Sequence, residues 1–342
     1  MKAQKILVWR ADHLGDLILT TPLLRALDSK DHKVDVLAWQ AHLPALDGLP
    51  FIHERFALEE WCPHFPRRWI DLVIECHHRR YDRIIIPFVS RKEQLIVARL
   101  SCLRVMAMRA GLLGRILGVK CLRMGLPDRR RYYADISLDF ARALEVPCDD
   151  PVPDWKVNEE ERAAMQSCLY KRFKNRPIAV INPFCQGNTC NLPLAEYVTL
   201  IRKCLDQTSY GVVVTGLQRD KTSLLTSLSD QISNERLWVS AGELNLRELG
   251  ALIELASVTV TVGTGPLHIA AALRKPTVSP FCQYVGVCKE VWGNPHSSAQ
   301  VVEPSVDFCE ARRADSDHCQ FEGGLSLDLL FQKIVQIARK EK

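Results

Sequence analysis

The chain has 342 residues, of which 47% are hydrophobic and 25% are charged, and its formal net charge is +5. These proportions are typical of a globular protein and exclude a disordered or low-complexity chain. At this length we expect two domains, and because the longest apolar runs have the length of a strand, we expect no membrane-spanning helix.

The first half of the chain alternates strand and helix patterns. The apolar run Lys5–Arg10 predicts a strand, and the leucines of Asp16–Leu27 recur at helical spacing. Further strands are predicted at Val34–Trp39, Leu72–Ile74 and Arg83–Pro87. Strands that alternate with helices form parallel sheets, so the sequence predicts an α/β fold.

A loop rich in polar side chains, residues 10–16, follows the first predicted strand. Its last residue, Asp16, falls at the predicted start of a helix, where the helix dipole stabilises a carboxylate. An aspartate here can simply cap the helix, or it can act as a general base that takes a proton from a hydroxyl group. The loop has no G-x-G-x-x-G pattern, which argues against a dinucleotide-dependent dehydrogenase.

The segment from Arg91 to Arg131 is strongly basic. It contains eleven lysines and arginines but only two acidic residues, Glu93 and Asp128, and many apolar residues lie between them. This mixture predicts a basic amphipathic surface for an anionic lipid headgroup or a polyanionic acceptor, with a solvated helix face as the alternative. Since no zinc-finger or RNP motif accompanies the charge, we expect no nucleic-acid partner.

The second half of the chain repeats the alternation of strands and helices. Prolines at positions 147, 151 and 153 predict an extended linker. We therefore expect one domain over residues 1–152, a second over 153–325, and a final helix within 326–342 that packs back on the first domain. Two Rossmann-like domains would face each other across a cleft, with ligands at the carboxyl ends of the strands.

The strongest local pattern is a strand, a glycine turn and a helix at residues 258–273. The strand Val258–Val262 leads into Gly263-Thr264-Gly265-Pro266-Leu267-His268. A helix N-terminus offers unpaired amide N–H groups and a partial positive charge, which suit a phosphate or diphosphate. Thr264 can cap this helix, and His268 lies in its first turn. The alternative is an ordinary strand–helix turn with a good cap.

The thirteen cysteines are scattered, and no C-x-x-C pair occurs. We therefore expect reduced thiols and no metal site, including at the late cysteines Cys282, Cys288, Cys309 and Cys319. The N-terminus passes directly into a strand without the apolar segment of a signal peptide, so we expect a cytoplasmic protein.

Residues 14–27, LGDLILTTPLLRAL, resemble the opening signature of the lipopolysaccharide heptosyltransferases, glycosyltransferase family 9. Four further segments match in the same order: Ile181–Pro183, the helix after Pro193 with Glu196, Val213–Gly216 followed by Asp220, and Thr264–Leu273. The resemblance implies a GT-B fold and metal-independent, inverting transfer of heptose from ADP-heptose, without a cofactor. The acceptor would be the anionic lipid A–inner core glycolipid, and the enzyme would be peripheral to the inner membrane.

Carried over residue by residue, the resemblance makes Asp16 the general base. The donor nucleotide sugar would contact residues of the second half: Thr264, Gly265, Pro266, Leu267, His268, Gly216, Asp220, Asn182 and Cys190. The acceptor would contact residues of the first half: His13, Arg10, Arg91, Lys92, Arg129 and Arg130.

The chain departs from the family pattern at three positions. Gly263 stands where the family has an aspartate, Cys190 where it has a lysine, and Leu192 where it has a tryptophan. We expect Arg219 or Lys221 to supply the missing cation. These departures leave three alternatives open: a transferase that uses another nucleotide sugar, a nucleotide-sugar epimerase, and a non-catalytic module that binds a glycolipid.

Overall fold

The computed structural model describes residues 3–65, 67–89, 91–102, 104–108, 110–122, 130–185, 189–223, 228, 234–284, 286–311 and 321–340. The chain forms two compact units, Met1–Lys156 and Val157–Lys342, so the boundary falls four residues beyond the predicted position (156 against 152). Each unit contains a six-stranded sheet, and all strand pairs are parallel. No helix among the described residues is long and apolar enough to cross a membrane.

The first unit has a doubly wound sheet with the strand order β3-β2-β1-β4-β5-β6. In this order the direction of winding reverses between β1 and β4, which is where doubly wound folds bind their ligands. The strands are β1 (Lys5–Arg10), β2 (Lys33–Ala38), β3 (Glu54–Ala57), β4 (Arg83–Ile86), β5 (Val105–Met108) and β6 (Lys120–Leu122).

Helices cover both faces of this sheet. Because side chains alternate along a strand, Ile6 and Val8 enter the core on one face, while Leu7 and Trp9 enter the core on the other. The helices are α1 (Leu14–Ile18), α2 (Thr21–Asp28), α3 (Leu58–Trp61), α4 (Ile70–Arg79), α5 (Lys92–Ser101), α6 (Gly111–Ile116), α7 (Tyr133–Ser137) and α8 (Asp139–Arg142), with a 3-10 helix at Gln40–Leu46.

Two elements of the first unit differ from the prediction. The single helix expected over Asp16–Leu27 is divided into α1 and α2, because Pro22 cannot donate a backbone hydrogen bond and its ring clashes with the preceding turn. The strand expected at Leu72–Ile74 is wrong, since these residues lie within α4. An apolar run of three residues does not distinguish a strand from a helix.

The second unit repeats the topology of the first, with the strand order β12-β11-β10-β7-β8-β9. Its winding reverses between β7 and β10. The strands are β7 (Ile178–Asn182), β8 (Gly211–Val214), β9 (Leu237–Val239), β10 (Val258–Thr261), β11 (Thr277–Pro280) and β12 (Gln300–Val302).

Seven helices of the second unit lie within the described residues. They are α9 (Glu159–Phe173), α10 (Leu194–Gln207), α11 (Leu246–Leu255), α12 (Gly265–Ala272), α13 (Lys289–Trp292), α14 (Val306–Ala311) and α15 (Leu327–Lys340), with a 3-10 turn at Gln218–Asp220. The sequence also predicts a helix over Lys221–Leu228, and residues 224–227 of that range lie outside the described residues.

The final helix, α15, contributes to the core of the second unit. Its inner face carries Leu330, Ile334 and Ile337 at helical spacing, and all three are buried in that core. The expectation that this helix also packs back on the first domain stays a prediction.

Candidate active site

A buried arginine organises the loop after β1. Arg10 ends that strand, and its side chain has no exposed surface. Its Nη2 atom lies 2.9 Å from Asp16 Oδ1, and its Nε atom lies 3.1 Å from Asp12 Oδ1. Nη2 also donates a 3.2 Å hydrogen bond to the hydroxyl of Tyr133 on α7. One guanidinium therefore holds two carboxylates at the carboxyl end of β1.

The electrostatics of this group keep the arginine charged. Burial opposes the charged form of Arg10, but Tyr133, Asp12 and Asp16 together raise its pKa above the ordinary value for arginine. Burial also raises the pKa of the Tyr133 hydroxyl, so this side chain stays neutral. The network thus contains a permanent cation and a neutral hydroxyl beside the two acids.

The two acids differ in their surroundings. The Asp12 side chain is 8% exposed, and burial raises its pKa to about 7 although the charge of Arg10 lowers it. The Asp16 side chain is 14% exposed and makes the closer ion pair with the guanidinium. Asp16 is therefore the more accessible carboxylate of the pair, while Asp12 retains a proton over much of the range below neutral pH.

Two histidines lie beside this acidic group. His13 is exposed at the N-cap of α1, and His42 lies in the 3-10 helix Gln40–Leu46 that packs on α1. Burial and the neighbouring His13 lower the pKa of His42, so His42 is neutral at pH 7. Asp12, His42 and Tyr133 were all missed by the sequence reasoning. The sequence shows Asp12 as a second acidic residue of the loop, but nothing in the sequence connects Tyr133 with Arg10.

The predicted acceptor residues do not all lie where they could contact an acceptor. The prediction for Arg10 is corrected, because its side chain has no exposed surface and its guanidinium is paired with Asp12 and Asp16. Arg91 and Lys92 are exposed at the start of α5, after the strand next to β1. Arg130 is also exposed, whereas Arg129 lies outside the described residues.

In the second unit, a short turn joins β10 to α12. Thr264 is the N-cap residue of α12, but its hydroxyl makes no capping hydrogen bond. Its Oγ1 atom instead lies 3.0 Å from Thr261 Oγ1 and also faces the carbonyl oxygen of Val262. The prediction that the Thr264 side chain caps the helix is therefore wrong. Pro266 has no amide hydrogen, and the amides of Leu267 and His268 donate to the Thr264 carbonyl oxygen, so the Gly265 amide is the first-turn donor that could meet an anion.

The remaining residues of this turn divide into accessible and buried positions. Thr264, Gly265 and Pro266 are half-buried, whereas Leu267 has no exposed surface and His268 is 2% exposed. Leu267 is thus a core residue, and its side chain cannot contact a donor. The His268 ring lies 6.3 Å, centroid to centroid, from the ring of Trp292.

Asn182, Gly216 and Asp220 shape the neighbouring strand ends. Asn182 Nδ2 donates a 3.0 Å hydrogen bond to Thr215 Oγ1, which ties the end of β7 to the end of β8. A Cβ atom at Gly216 would lie 3.0 Å from the ring of Phe184, so any larger residue there would require this ring to shift. Asp220 Oδ2 accepts a 2.8 Å hydrogen bond from the amide of Leu217 and closes the 3-10 turn. The Asp220 side chain, predicted at the donor, is thus engaged in the turn.

Cys190 lies in the core of the second unit and not on an open surface. It is 2% exposed and hydrogen-bonds with Cys282, which lowers the pKa of the Cys282 thiol to about 6 against the opposing effect of burial. The Sγ atoms of Cys282 and Cys309 are 3.7 Å apart. The expectation that Cys190 lines the donor site is corrected, because a thiol buries at far lower cost than the ammonium group it replaces.

One group of possible metal ligands occurs among the described residues, which do not include Cys319. It consists of Asp35, His53 and Glu54, whose ligand atoms lie within 4.8 Å of one another. Asp35 already accepts hydrogen bonds from Tyr81 and His53, each of 2.9 Å. Since both carboxylate oxygens of Asp35 accept hydrogen bonds within the protein, we interpret this group as a polar network around the buried Asp35.

Two basic residues, Arg219 and Lys221, follow the end of β8. Lys221 Nζ lies 3.2 Å from Glu243 Oε1, so its charge is paired. Arg219 has a side chain that is 65% exposed, and its nearest acidic atom, Asp220 Oδ1, is 3.9 Å from Nε. Of the two basic residues predicted to replace the missing lysine, Arg219 has the more available charge.

Solved structures share the fold of the whole chain. A glycosyltransferase family 9 protein from Veillonella parvula superposes with a TM-score of 0.81 at 17% identity, over 99% of each chain. The ADP-heptose lps heptosyltransferase II of Escherichia coli superposes with a TM-score of 0.78 at 19% identity, over 98% of this chain and 99% of that one. The two α/β units therefore have the GT-B fold. Together with sequence similarity to glycosyltransferase family 9, this fold indicates a glycosyltransferase.

Sequence comparisons find the same family as the structural ones. The model of glycosyltransferase family 9 (heptosyltransferase) matches residues 135–285. Lipopolysaccharide heptosyltransferase 3 of Escherichia coli is 23% identical over 88% of this chain and 89% of its own length. Lipopolysaccharide heptosyltransferase 2 of Salmonella typhimurium is 26% identical over 81% of this chain and 82% of its own length. The chain is thus similar in sequence to the heptosyltransferases of glycosyltransferase family 9.

Proposed function

We propose that this chain transfers heptose from ADP-heptose to the inner core of lipopolysaccharide with inversion at the anomeric carbon. The observation that carries the proposal is Asp16, an accessible carboxylate held at the carboxyl end of β1 by the buried guanidinium of Arg10. In the proposed reaction Asp16 takes the proton of an acceptor hydroxyl. The oxygen then bonds to the anomeric carbon from the face opposite the nucleotide, and the bond to ADP breaks.

The donor would be held by the turn before α12. The Gly265 amide N–H at that helix start, together with the helix dipole, would stabilise the negative charge that develops on the departing ADP. Arg219 would add a cation in place of the lysine that this chain lacks. No metal or other cofactor enters the proposed step, because the fixed dipoles and Arg219 supply the stabilisation of the diphosphate.

The acceptor would be an anionic glycolipid reached at the cytoplasmic face of the inner membrane. Arg91, Lys92 and Arg130 are exposed cations of the first unit, and Arg129 is the sequence neighbour of Arg130. A guanidinium can bind phosphate or carboxylate in a bidentate manner, which suits the phosphorylated inner core. We infer a peripheral association with the membrane surface.

The nucleotide is tested by calorimetric titration with ADP, UDP, GDP and CMP in parallel. We expect saturable binding with a preference for ADP. Arg219→Ala should weaken ADP binding severalfold, and Lys221→Ala, whose charge is paired with Glu243, serves as the matched control. A preference for UDP or CMP would assign the same fold to another sugar donor. If none of the four bound, a non-catalytic glycolipid-binding module would replace the transferase.

The role of Asp16 is tested in a transfer assay with ADP-heptose and an inner-core acceptor. Asp16→Asn should keep ADP affinity but lower kcat by about 10²–10⁴-fold, which is the usual contribution of a general base. Asp28→Asn makes the same change at an exposed position and should transfer normally. Near-normal turnover of Asp16→Asn would remove Asp16 from this role. Sugar release or isomerisation without acceptor would identify an epimerase.

A further inference from the structure

One layer of helices in the first unit exposes large apolar side chains. On α6, Leu112 and Ile116 are each 72% exposed, and their i, i+4 spacing places them on the same side of the helix. On α4, Ile70 is 51% and Ile74 is 47% exposed at the same spacing. In the described part of the first unit, all large hydrophobic side chains that are exposed fall within residues 70–116, and they are Ile70, Ile74, Phe88, Leu100, Leu112 and Ile116.

These side chains are not core residues left uncovered. Helices α4, α5 and α6 lie against one face of the sheet, where their inner residues share a core with Leu7 and Trp9 of β1. On α4 the inner residues are Leu72 and Val73, and on α6 Leu113 packs against the same core. The outer apolar residues are therefore additional to a core that is already filled. An exposed apolar face of this kind marks an interaction surface.

Basic side chains are frequent in the same layer. The exposed cations on or beside the three helices are Arg67, Arg68, Arg91, Lys92, Arg104, Arg115 and Lys120. The acidic residues on the same helices are fewer, and two of them are paired: Asp71 lies 3.3 Å from Arg68 and Glu75 lies 3.9 Å from Arg79. This layer of helices thus combines exposed apolar side chains with an excess of positive charge.

We propose that the outer face of α4, α5 and α6 binds the surface of an anionic lipid bilayer. Leu112 and Ile116 enter the acyl region, and the surrounding arginines and lysines contact the lipid phosphates. Apolar burial and attraction to anionic headgroups act together in such interfacial helices, and neither is sufficient alone. The positive charge of this face favours an anionic bilayer over a second copy of this chain, because the same face of a second copy would carry the same charge.

The position of α5 links this face to the acceptor side of the candidate site. Its first residues, Arg91 and Lys92, follow β4, which pairs with β1, the strand that leads to Asp16. Docking through this layer would place a glycolipid headgroup beside the carboxyl end of these two strands. This inference deepens the proposed function by assigning its membrane partner to particular residues.

The test is co-sedimentation of the full chain with phosphatidylcholine vesicles that contain or lack phosphatidylglycerol. We expect binding to the anionic vesicles that weakens with added salt. The double variant Leu112→Ser/Ile116→Ser should bind the anionic vesicles about tenfold or more weakly, because two apolar anchors are lost. The control Val306→Ser/Leu329→Ser replaces exposed apolar residues of the second unit and should bind like the unmodified protein.

Three results would overturn the inference: anionic vesicles that do not bind the unmodified protein, a Leu112/Ile116 variant that binds as well as the control, or a variant that only changes the molecular mass measured by light scattering. The last result would identify a self-association surface. ADP titration of the same variants separates this inference from the proposed function. A chain that binds vesicles without binding ADP contradicts the transferase alone, and a chain that binds ADP without binding vesicles contradicts the docking face alone.

Discussion

The guanidinium of Arg10 lies 2.9 Å from the Asp16 carboxylate, and it is enclosed by protein on every side. The arginine therefore cannot serve as a mobile contact for substrate. Its geometry fits a positioning residue, which fixes the direction of the Asp16 carboxylate and compensates two acids at once.

Loss of the buried guanidinium should destabilise the protein strongly. Arg10→Met leaves Asp12 and Asp16 without their cation, and removal of one partner from a buried ion pair typically costs about 3–5 kcal/mol in the free energy of unfolding. Arg142→Met removes an arginine whose side chain is 40% exposed and should cost at most about 1 kcal/mol. Urea unfolding measures both variants. Equal costs would show that the Arg10 network does not stabilise the fold.

A structural loss alone would not establish positioning, so Arg10→Lys provides a second readout. Lysine keeps the charge but cannot hold two carboxylates with a planar fork. We expect Arg10→Lys to retain ADP affinity and to lower kcat more than it raises KM, since Asp16 would be misdirected. An unchanged kcat in a folded Arg10→Lys protein would contradict this role.

Asp12 should make the stability of the protein depend on pH. Its pKa in the folded protein is about 7, above the ordinary value of 3.8, because it is buried. Between these two values the folded state keeps a proton that the unfolded state has lost. The free energy of unfolding therefore decreases as the pH rises through this range. Asp12→Asn should remove this decrease.

The measurement is urea unfolding at about pH 5 and about pH 8. The unmodified protein and the control Asp28→Asn should both lose stability toward the higher pH, and Asp12→Asn should lose less. If Asp12→Asn shows the same decrease as the control, another group is responsible for the pH dependence.

Restoring the family aspartate at position 263 should be unfavourable in this chain. A Cβ atom on Gly263 would lie 3.3 Å from the buried ring of Phe281 and 3.7 Å from Thr189 Oγ1. Gly263→Asp should therefore lower the free energy of unfolding by about 1–3 kcal/mol through overpacking, with a smaller effect for Gly263→Ala. Phe281→Leu should cost less in the Gly263→Asp background than alone. A Gly263→Asp protein of unchanged stability that binds ADP more tightly would show that the ring yields readily.

The sequence predicted the elements whose cause is local. The β10 strand, the glycine turn and the α12 helix are encoded within a few residues, and so is the position of Asp16 after β1. The division of α1 from α2 was also local, because Pro22 signals it, but helical leucine spacing masked that signal.

The features that escaped prediction depend on distant residues. Arg10 is buried because Tyr133 and two acids surround it, and α7 contributes Tyr133 from far along the chain. Cys190 is buried because Cys282, after β11, lies beside it. A family pattern assigns such positions a ligand role by alignment, whereas the three-dimensional neighbours decide whether the side chain can reach a ligand.

The packing of α15 bears on the order in which the two units fold during synthesis. Leu330, Ile334 and Ile337 complete the core that also contains Val258 and Val260 of β10. The residues around Asp16 and both cores of the first unit are synthesised long before this helix. The second unit can reach its final packing only after α15 has been made, so a product terminated before Leu327 would contain a complete first unit and a second unit with an unfinished core.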